Sequence, residues 1–148
     1  TLLYLNTMQP DRFKSVITVG GLIYHSKQLR EWIAKTGLNQ LMEWAKYHGP
    51  EKQEYLARVV WESRKLYGDA SFTPDILNTI KANWLVVLGD NDVAIPIQLG
   101  IEMHQNIPNS RLWIVPNGEH LPHLNPDIQP EFLRVSLEFL NGKWDKKD

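Results

Sequence analysis

The chain has 148 residues, of which 43 % are hydrophobic and 22 % are charged, and its net charge is −1 at pH 7. This composition excludes a disordered chain, and the scattered Lys and Arg residues exclude the basic surface of a nucleic-acid-binding protein. No apolar run is long enough to cross a membrane, and no cysteine is present to form disulfides, thiolate metal sites or a nucleophile. These features favour a cytoplasmic protein, with a lost signal peptide as the alternative because the chain does not begin with Met.

The first half of the chain combines one predicted strand with a long helical segment. The β-branched run 15–19 predicts a buried strand, and Gly20-Gly21 ends it and lets the chain turn. From residue 26 to residue 72, apolar residues recur at helical spacing, and Gly37 and Gly49-Pro50 separate three predicted helices. Because this segment interrupts a strand pattern, we expect it to form a helical cap over a sheet.

The second half alternates between strands and helices after a typical helix start at Thr73-Pro74-Asp75. These later elements are predicted at 84–88, 97–106, 111–115 and 130–141. Apolar strands that alternate with helices predict a parallel sheet covered on both faces. The predicted fold class is therefore α/β, with a core formed by 1–25 and 73–148 and an inserted cap formed by 26–72.

The last predicted helix, 130–141, carries apolar residues at helical spacing and ends at Gly142. A helix beside a sheet buries one apolar stripe and exposes the opposite face. We expect the buried stripe to consist of Phe132, Leu133, Ser136, Leu137 and Leu140.

Two of the predicted strands end in loops that carry a potential catalytic group. Asp92 follows strand 84–88, and His120 follows strand 111–115. Because parallel strands place their carboxyl ends at one edge of the sheet, we expect these two side chains to meet there. An imidazole activates a hydroxyl by taking its proton, and a carboxylate fixes the tautomer of the imidazole and stabilises its charged form. The pair therefore predicts the acid and the base of a catalytic triad.

The sequences of these two loops resemble those of a known superfamily. Residues 89–96 (GDNDVAIP), the acid loop, are similar to the G-x-x-D-x-x-x-P loop of the α/β-hydrolase superfamily. Residues 117–124 (NGEHLPHL), the histidine loop, are similar to its G-x-G-H-x-P-H-x-E loop. The resemblance implies the C-terminal part of an α/β-hydrolase fold, with parallel strands, flanking helices and an inserted helical cap. It also implies that Asp92 is the acid and His120 the general base.

The nucleophile of the superfamily lies in a G-x-S-x-G turn, and the sequence contains no such turn. The resemblance implies that the nucleophile and the first half of the sheet precede Thr1. The intact parent would then hydrolyse an ester, an amide or a related bond by Ser-His-Asp acyl transfer, and these 148 residues alone would be inactive. Strand 15–19 would lack a neighbour, so we expect the chain to self-associate through this sheet edge.

Several alternatives remain open for the function. A non-catalytic small-molecule-binding or interaction protein of the same fold would carry Gly or Ala in place of the nucleophile. An Asp nucleophile would instead indicate an enzyme of the haloalkane dehalogenase or epoxide hydrolase type. A zinc site formed by Glu119, His120 and His123 is disfavoured, because ligands in a loop lack the geometry of a helical His pair. We therefore expect no metal and no cofactor.

Tyr24 and His25 directly follow the carboxyl end of strand 15–19. This position makes them candidates for substrate binding, with ordinary packing as the alternative. The cap segment is rich in aromatic residues, some of which would face an apolar acyl or aromatic group. The expected partner is therefore a small-molecule substrate of apolar character, and neither nucleic acid nor a membrane.

Overall fold

The structure, a computed structural model, describes three ranges of the chain: 2–45, 49–67 and 70–144. The chain divides into two compact units, one formed by Thr1–Ile23 with Phe72–Asp148 and the other by Tyr24–Ser71. Part of the predicted cap, residues 46–48 and 68–69, lies outside the described residues. No helix in the described ranges is both long and apolar enough to cross a bilayer.

Besides a short 3₁₀ helix at Pro122–Leu124, the described ranges contain nine helices and strands. In chain order they are α1 (Leu2–Met8), β1 (Ser15–Val19), α2 (Lys27–Ala45), α3 (Pro50–Tyr67), α4 (Pro74–Leu77), β2 (Asn83–Gly89), α5 (Ile97–Asn106), β3 (Ser110–Val115) and α6 (Gln129–Leu140). The three strands are parallel and lie in the order β1-β2-β3. The predicted parallel α/β arrangement is confirmed, and the carboxyl ends of all three strands meet at one edge.

The sheet is covered on both faces, as predicted. Leu85 and Val87 of β2 belong to one apolar cluster with Val135 and Phe139 of α6. On the opposite face, α5 approaches so closely that a β-carbon on Gly100 would overlap the side chain of Leu88. The middle strand is therefore buried almost completely, which is why its sequence is a continuous apolar run rather than an alternating one.

The buried indole of Trp84 shows how β1 is fixed to β2. Trp84 is 0 % exposed, so its N–H needs a partner inside the protein. It donates to Oγ1 of Thr18 over 3.0 Å. Thr18 is thus a polar residue within an apolar strand because it satisfies this buried donor.

The described part of the helical unit contains two helices, where the sequence predicted three. Gly49, with φ +96°, and Pro50 separate α2 from α3 as expected, but α2 continues through Gly37. A glycine in a helix interior costs about 1 kcal/mol relative to alanine, which lowers stability but does not end a helix. The helices pack on each other, and Gln53 of α3 donates to the carbonyl oxygen of Met42 over 2.8 Å.

The predicted start of α4 and the predicted buried face of α6 had opposite outcomes. At α4, Thr73 accepts a hydrogen bond from the backbone N–H of Ile76 with Pro74 in the first turn, so the predicted helix start is confirmed. At α6 the predicted stripe is largely wrong, because Val135 and Phe139 are buried while three of the predicted leucines are exposed. These are Leu133, Leu137 and Leu140. Both faces of α6 are apolar, and helical periodicity alone does not decide which one packs.

Candidate active site

The acid loop (residues 89–96) holds the carboxylate of Asp92 in one position. Its Oδ1 accepts two backbone hydrogen bonds, from Ala94 over 2.8 Å and from Ile95 over 2.9 Å. The side chain of Asp92 is 0 % exposed. A side chain that bonds to N–H groups two and three residues ahead is an Asx-type turn, so the local sequence itself builds this arrangement.

The hydrogen bonds also determine the charge of Asp92. Burial by itself raises the pKa of the Asp92 carboxyl, because it disfavours the charged form. Hydrogen bonds from His120, Ile95 and Ala94 stabilise the carboxylate and together outweigh burial, so the pKa lies below its usual value. Asp92 is therefore ionised at neutral pH and acts only as a hydrogen-bond acceptor.

The histidine loop (residues 117–124) reaches the acid loop through two glycines. A β-carbon on Gly89, at the end of β2, would overlap the carbonyl oxygen of Gly118. That oxygen accepts a hydrogen bond from the backbone N–H of Asn91 over 2.9 Å. The two backbones are in direct contact, and a side chain on Gly89 would separate them. This contact sets the distance between Asp92 and His120.

Asp92 and His120 form a hydrogen bond at the carboxyl edge of the sheet. Nδ1 of His120 donates to Oδ2 of Asp92 over 2.8 Å. Because the ionised carboxylate cannot donate, the proton belongs to Nδ1, and in neutral His120 the lone pair is on Nε2. The predicted contact between these two loops is confirmed. Nε2 has no hydrogen-bond partner within the described ranges, and the side chain is 46 % exposed.

A groove of about 510 Å³ lies beside His120. Its lining mixes apolar side chains with a few polar ones, a composition typical of small-molecule sites. The lining residues are Asn117, Glu119, His120, Leu121, Pro122, Leu124, Asn125 and Ile128. Glu119, a less usual neighbour for such a histidine, thus faces the groove together with the imidazole.

The structure gives local surroundings for the other residues that the sequence singled out. Tyr24 and His25 belong to the helical unit, where Tyr24 pairs with Ser71 in an isolated antiparallel bridge. Their role in substrate binding stays a prediction. His123 packs against the ring of Phe132, with 5.2 Å between the ring centroids. Across residues 2–45, 49–67 and 70–144, no three His, Asp or Glu side chains are grouped closely enough to hold a metal ion.

Sequence reasoning missed one residue of this site, Gly20. A β-carbon on its backbone would lie 2.8 Å from Cε1 of His120, although the sequence suggested only that Gly20 lets the chain turn. The signal was present, because Gly20 follows a strand whose carboxyl end lies at the same edge as the histidine loop. A glycine is needed where a backbone approaches another group closely.

Solved structures with the α/β-hydrolase fold match nearly the whole chain. A serine hydrolase involved in carbazole degradation matches with a TM-score of 0.69 and 17 % identity, over 94 % of this chain and 58 % of its own. A meta-cleavage product hydrolase from Pseudomonas fluorescens IP01 matches with a TM-score of 0.69 and 14 % identity, over 96 % and 61 %. An α/β hydrolase from a Medee basin deep-sea metagenome library matches with a TM-score of 0.67 and 16 % identity, over 99 % and 62 %.

These similarities define the class of fold. The chain has the α/β-hydrolase fold in part, since it spans less than two thirds of the length of each of these proteins. No protein-family model matches the sequence, and no curated protein does either.

Proposed function

We propose that Asp92 and His120 are the acid and the general base of a hydrolase that cleaves an ester, an amide or a related bond by Ser-His-Asp acyl transfer. The observation that carries the proposal is the 2.8 Å hydrogen bond from Nδ1 of His120 to a buried, ionised carboxylate. The similar solved structures are described as serine hydrolases and meta-cleavage product hydrolases, which supports a hydrolase.

The proposed reaction begins at Nε2 of His120. As the serine oxygen forms a bond to the carbonyl carbon of the substrate, its proton moves to Nε2. The imidazolium then gives this proton to the departing group, and an acyl-enzyme remains. A water molecule attacks the acyl carbon in the same way, with Nε2 again taking the proton, and the acid product is released as the serine regains its hydrogen.

Asp92 acts through His120 in this scheme. Its carboxylate keeps the proton on Nδ1, so that the lone pair of Nε2 faces away from the acid loop. When Nε2 takes a proton, the positive imidazolium lies 2.8 Å from the negative Oδ2 and is stabilised by it. The two backbone hydrogen bonds to Oδ1 hold the carboxylate in place, so no rearrangement is needed during the reaction.

Four of the serines with described side chains have other roles and the fifth, Ser71, pairs with Tyr24 in an isolated bridge, so we propose that the whole protein supplies the nucleophile from another segment. Ser15 and Ser110 begin β1 and β3 and thus lie at the edge of the sheet opposite His120. Ser26 accepts a hydrogen bond from the backbone of Leu29, and Ser136 is buried in α6. None of them bonds to His120.

We propose an apolar acyl or aromatic group as the part of the substrate next to His120. Leu121, Pro122, Leu124 and Ile128 give the groove its apolar lining, and burial of an apolar group in such a site is favourable. The helical unit is proposed to act as the cap that shapes the rest of the substrate site. Its place in the sequence, between β1 and β2, supports this role.

The direct test uses the longest natural protein that contains these residues and a short-chain p-nitrophenyl ester. We expect His120→Ala to lower kcat at least about 1,000-fold, because the hydroxyl loses its base. His104→Ala is the matched control, since His104 bonds to Ser110 at the amino end of β3 and should leave the rate unchanged. Equal turnover by wild type and His120→Ala would remove His120 from the mechanism.

The identity of the nucleophile separates the proposal from its alternatives. A serine in a G-x-S-x-G turn of the whole protein agrees with acyl transfer. An aspartate at that position would redirect the reaction to attack on carbon, as in dehalogenation or epoxide opening. Gly or Ala there, together with no turnover of any ester, would favour a small-molecule-binding protein.

A further inference from the structure

Gly20 directly follows β1, and its backbone lies against His120. A β-carbon at this position would lie 2.8 Å from Cε1 and 2.9 Å from Nδ1 of the imidazole, and 2.7 Å from the carbonyl oxygen of His120. Carbon atoms in contact are normally separated by about 3.5–4.0 Å. Any side chain at position 20 would therefore push against the atom of His120 that bonds to Asp92.

The conformation of Gly20 favours glycine for a second, independent reason. Its φ is +60°, in the left-handed region that glycine adopts without steric cost. Its N–H donates to the carbonyl oxygen of Val87 over 3.0 Å, which fixes its backbone to the central strand β2. The contact with His120 is thus made by a rigid part of the sheet rather than by a free loop.

Gly21 provides the contrast within the same dipeptide. Its φ lies outside the left-handed region, and the three atoms nearest to a β-carbon there all belong to Thr18, the first of them Cβ at 3.3 Å. The two glycines are neighbours in the chain and follow the same strand. They differ in the group that a β-carbon would meet first, which is His120 at position 20 and Thr18 at position 21.

We propose that Gly20 is a positioning residue for His120. Its backbone limits the imidazole on one side while Asp92 holds Nδ1, so that the ring has a single orientation in which Nε2 stays free. That this orientation serves catalysis rests on the proposed function. The orientation itself depends only on the hydrogen bond between Asp92 and His120 and on the contact with Gly20.

The test is made on the longest natural protein that contains these residues, with ¹⁵N-labelled histidine. The resonance of the Nδ1 proton of His120 reports the hydrogen bond to Asp92, and His120→Gln assigns it by its disappearance. We expect Gly20→Ala to abolish this resonance or move it towards that of a solvent-exposed imidazole. Gly21→Ala should leave it at the wild-type position.

A second variant separates the contact from the backbone conformation. Asparagine tolerates left-handed backbone better than alanine but still carries a β-carbon. We therefore expect Gly20→Asn to disturb the resonance as Gly20→Ala does, while the amide spectrum of β2 shows that the sheet is intact. If either folded variant keeps the wild-type resonance, the proposal is wrong.

Because a single variant can fail to fold, Gly20→Asn and Gly20→Ser are measured beside Gly20→Ala. Any folded member of this set tests the contact with His120, and the same loss of the resonance in Gly21→Ala would overturn the role assigned to Gly20. The resonance reports the Asp92–His120 bond whether or not the whole protein hydrolyses esters. Failure of the proposed function would therefore appear in the ester assay and leave this measurement unchanged.

Discussion

Asp92 and His120 lie at neighbouring strand ends, but the fold holds them very differently. The carboxylate of Asp92 is fully buried and accepts hydrogen bonds from Ala94 and Ile95 of its own loop and from His120. His120 is 46 % exposed, and its ring makes one hydrogen bond, to Asp92. Asp92 is thus a fixed part of the sheet edge, whereas His120 is held on one side and open on the other. In a catalytic triad the carboxylate must be fixed in order to orient the imidazole, and the imidazole must be open on one side in order to exchange a proton. The difference between Asp92 and His120 matches these two requirements.

The largest expected effect separates the two roles of Asp92. In the whole protein, Asp92→Asn should lower kcat about 10,000-fold, because an amide at this position favours the wrong tautomer of His120. The amide oxygen can still accept hydrogen bonds from Ala94 and Ile95, so the protein should remain folded. Steady-state ester hydrolysis, with circular dichroism as the check of folding, measures this. Wild-type kcat in a folded Asp92→Asn protein would mean that the carboxylate does not orient the base.

Removing the buried side chain of Asp92 should lower the free energy of unfolding more than removing the half-exposed side chain of His120. We expect Asp92→Ala to lower the free energy of unfolding by about 3 kcal/mol, because three donors lose a charged acceptor inside the acid loop. His120→Ala should cost only about 1 kcal/mol, since it removes one hydrogen bond from a half-exposed ring. Urea unfolding of the 148-residue chain gives both values. A larger loss for His120→Ala than for Asp92→Ala would contradict the comparison.

The stability that Asp92 contributes to the fold should depend on pH. The pKa of Asp92 is lowered in the folded state, so the carboxylate contributes stability above its usual value of 3.8, and this contribution is lost as the pH falls through the folded pKa. Wild type should therefore lose its stability advantage over Asp92→Asn as the pH falls below about 4. Urea unfolding at a series of pH values measures the difference. A constant difference down to about pH 2 would show that Asp92 does not titrate as described.

The smallest expected effect concerns the outer edge of β1. Within the described ranges β1 pairs only with β2, so its other edge offers unpaired backbone groups. We propose that the 148-residue chain self-associates through this edge. Sedimentation velocity should show concentration-dependent association, and it should persist in Leu137→Lys, which changes the exposed face of α6 and leaves β1 intact. A monomer at all concentrations would refute the association, and a monomer only in Leu137→Lys would assign it to α6.

The elements that the sequence predicted well are those with one dominant signal. The strands are continuous β-branched or apolar runs, and the turns after them carry Gly, Asp or Asn, so strand positions and the meeting of Asp92 with His120 followed from order along the chain. It was harder to predict where a helix ends and which of its faces is buried. Gly37 lacked the left-handed conformation that ends a helix, and α6 carries apolar residues on two faces. Only packing against the sheet decides such cases.

The contacts between glycines and the histidine loop could not be read from the sequence at all. A β-carbon on Gly89 would overlap the backbone of Gly118, and one on Gly20 would crowd His120, across segments that are far apart in the chain. A glycine at a strand end predicts a turn equally well whether or not another backbone approaches it. The meeting of Asp92 with His120 was therefore predictable from their loops, whereas the glycines that let the two loops approach each other required coordinates.

The tautomer of neutral His120 tests the central claim most directly. A free imidazole favours the proton on Nε2, whereas the hydrogen bond to Asp92 requires it on Nδ1. The ¹⁵N chemical shifts of His120, measured at a pH where the ring is neutral, distinguish the two forms. We predict the Nδ1–H form in wild type and a shift towards the Nε2–H form in Asp92→Ala. A neutral His120 that carries its proton on Nε2 in wild type would contradict the claim that Asp92 prepares this histidine to act as a base.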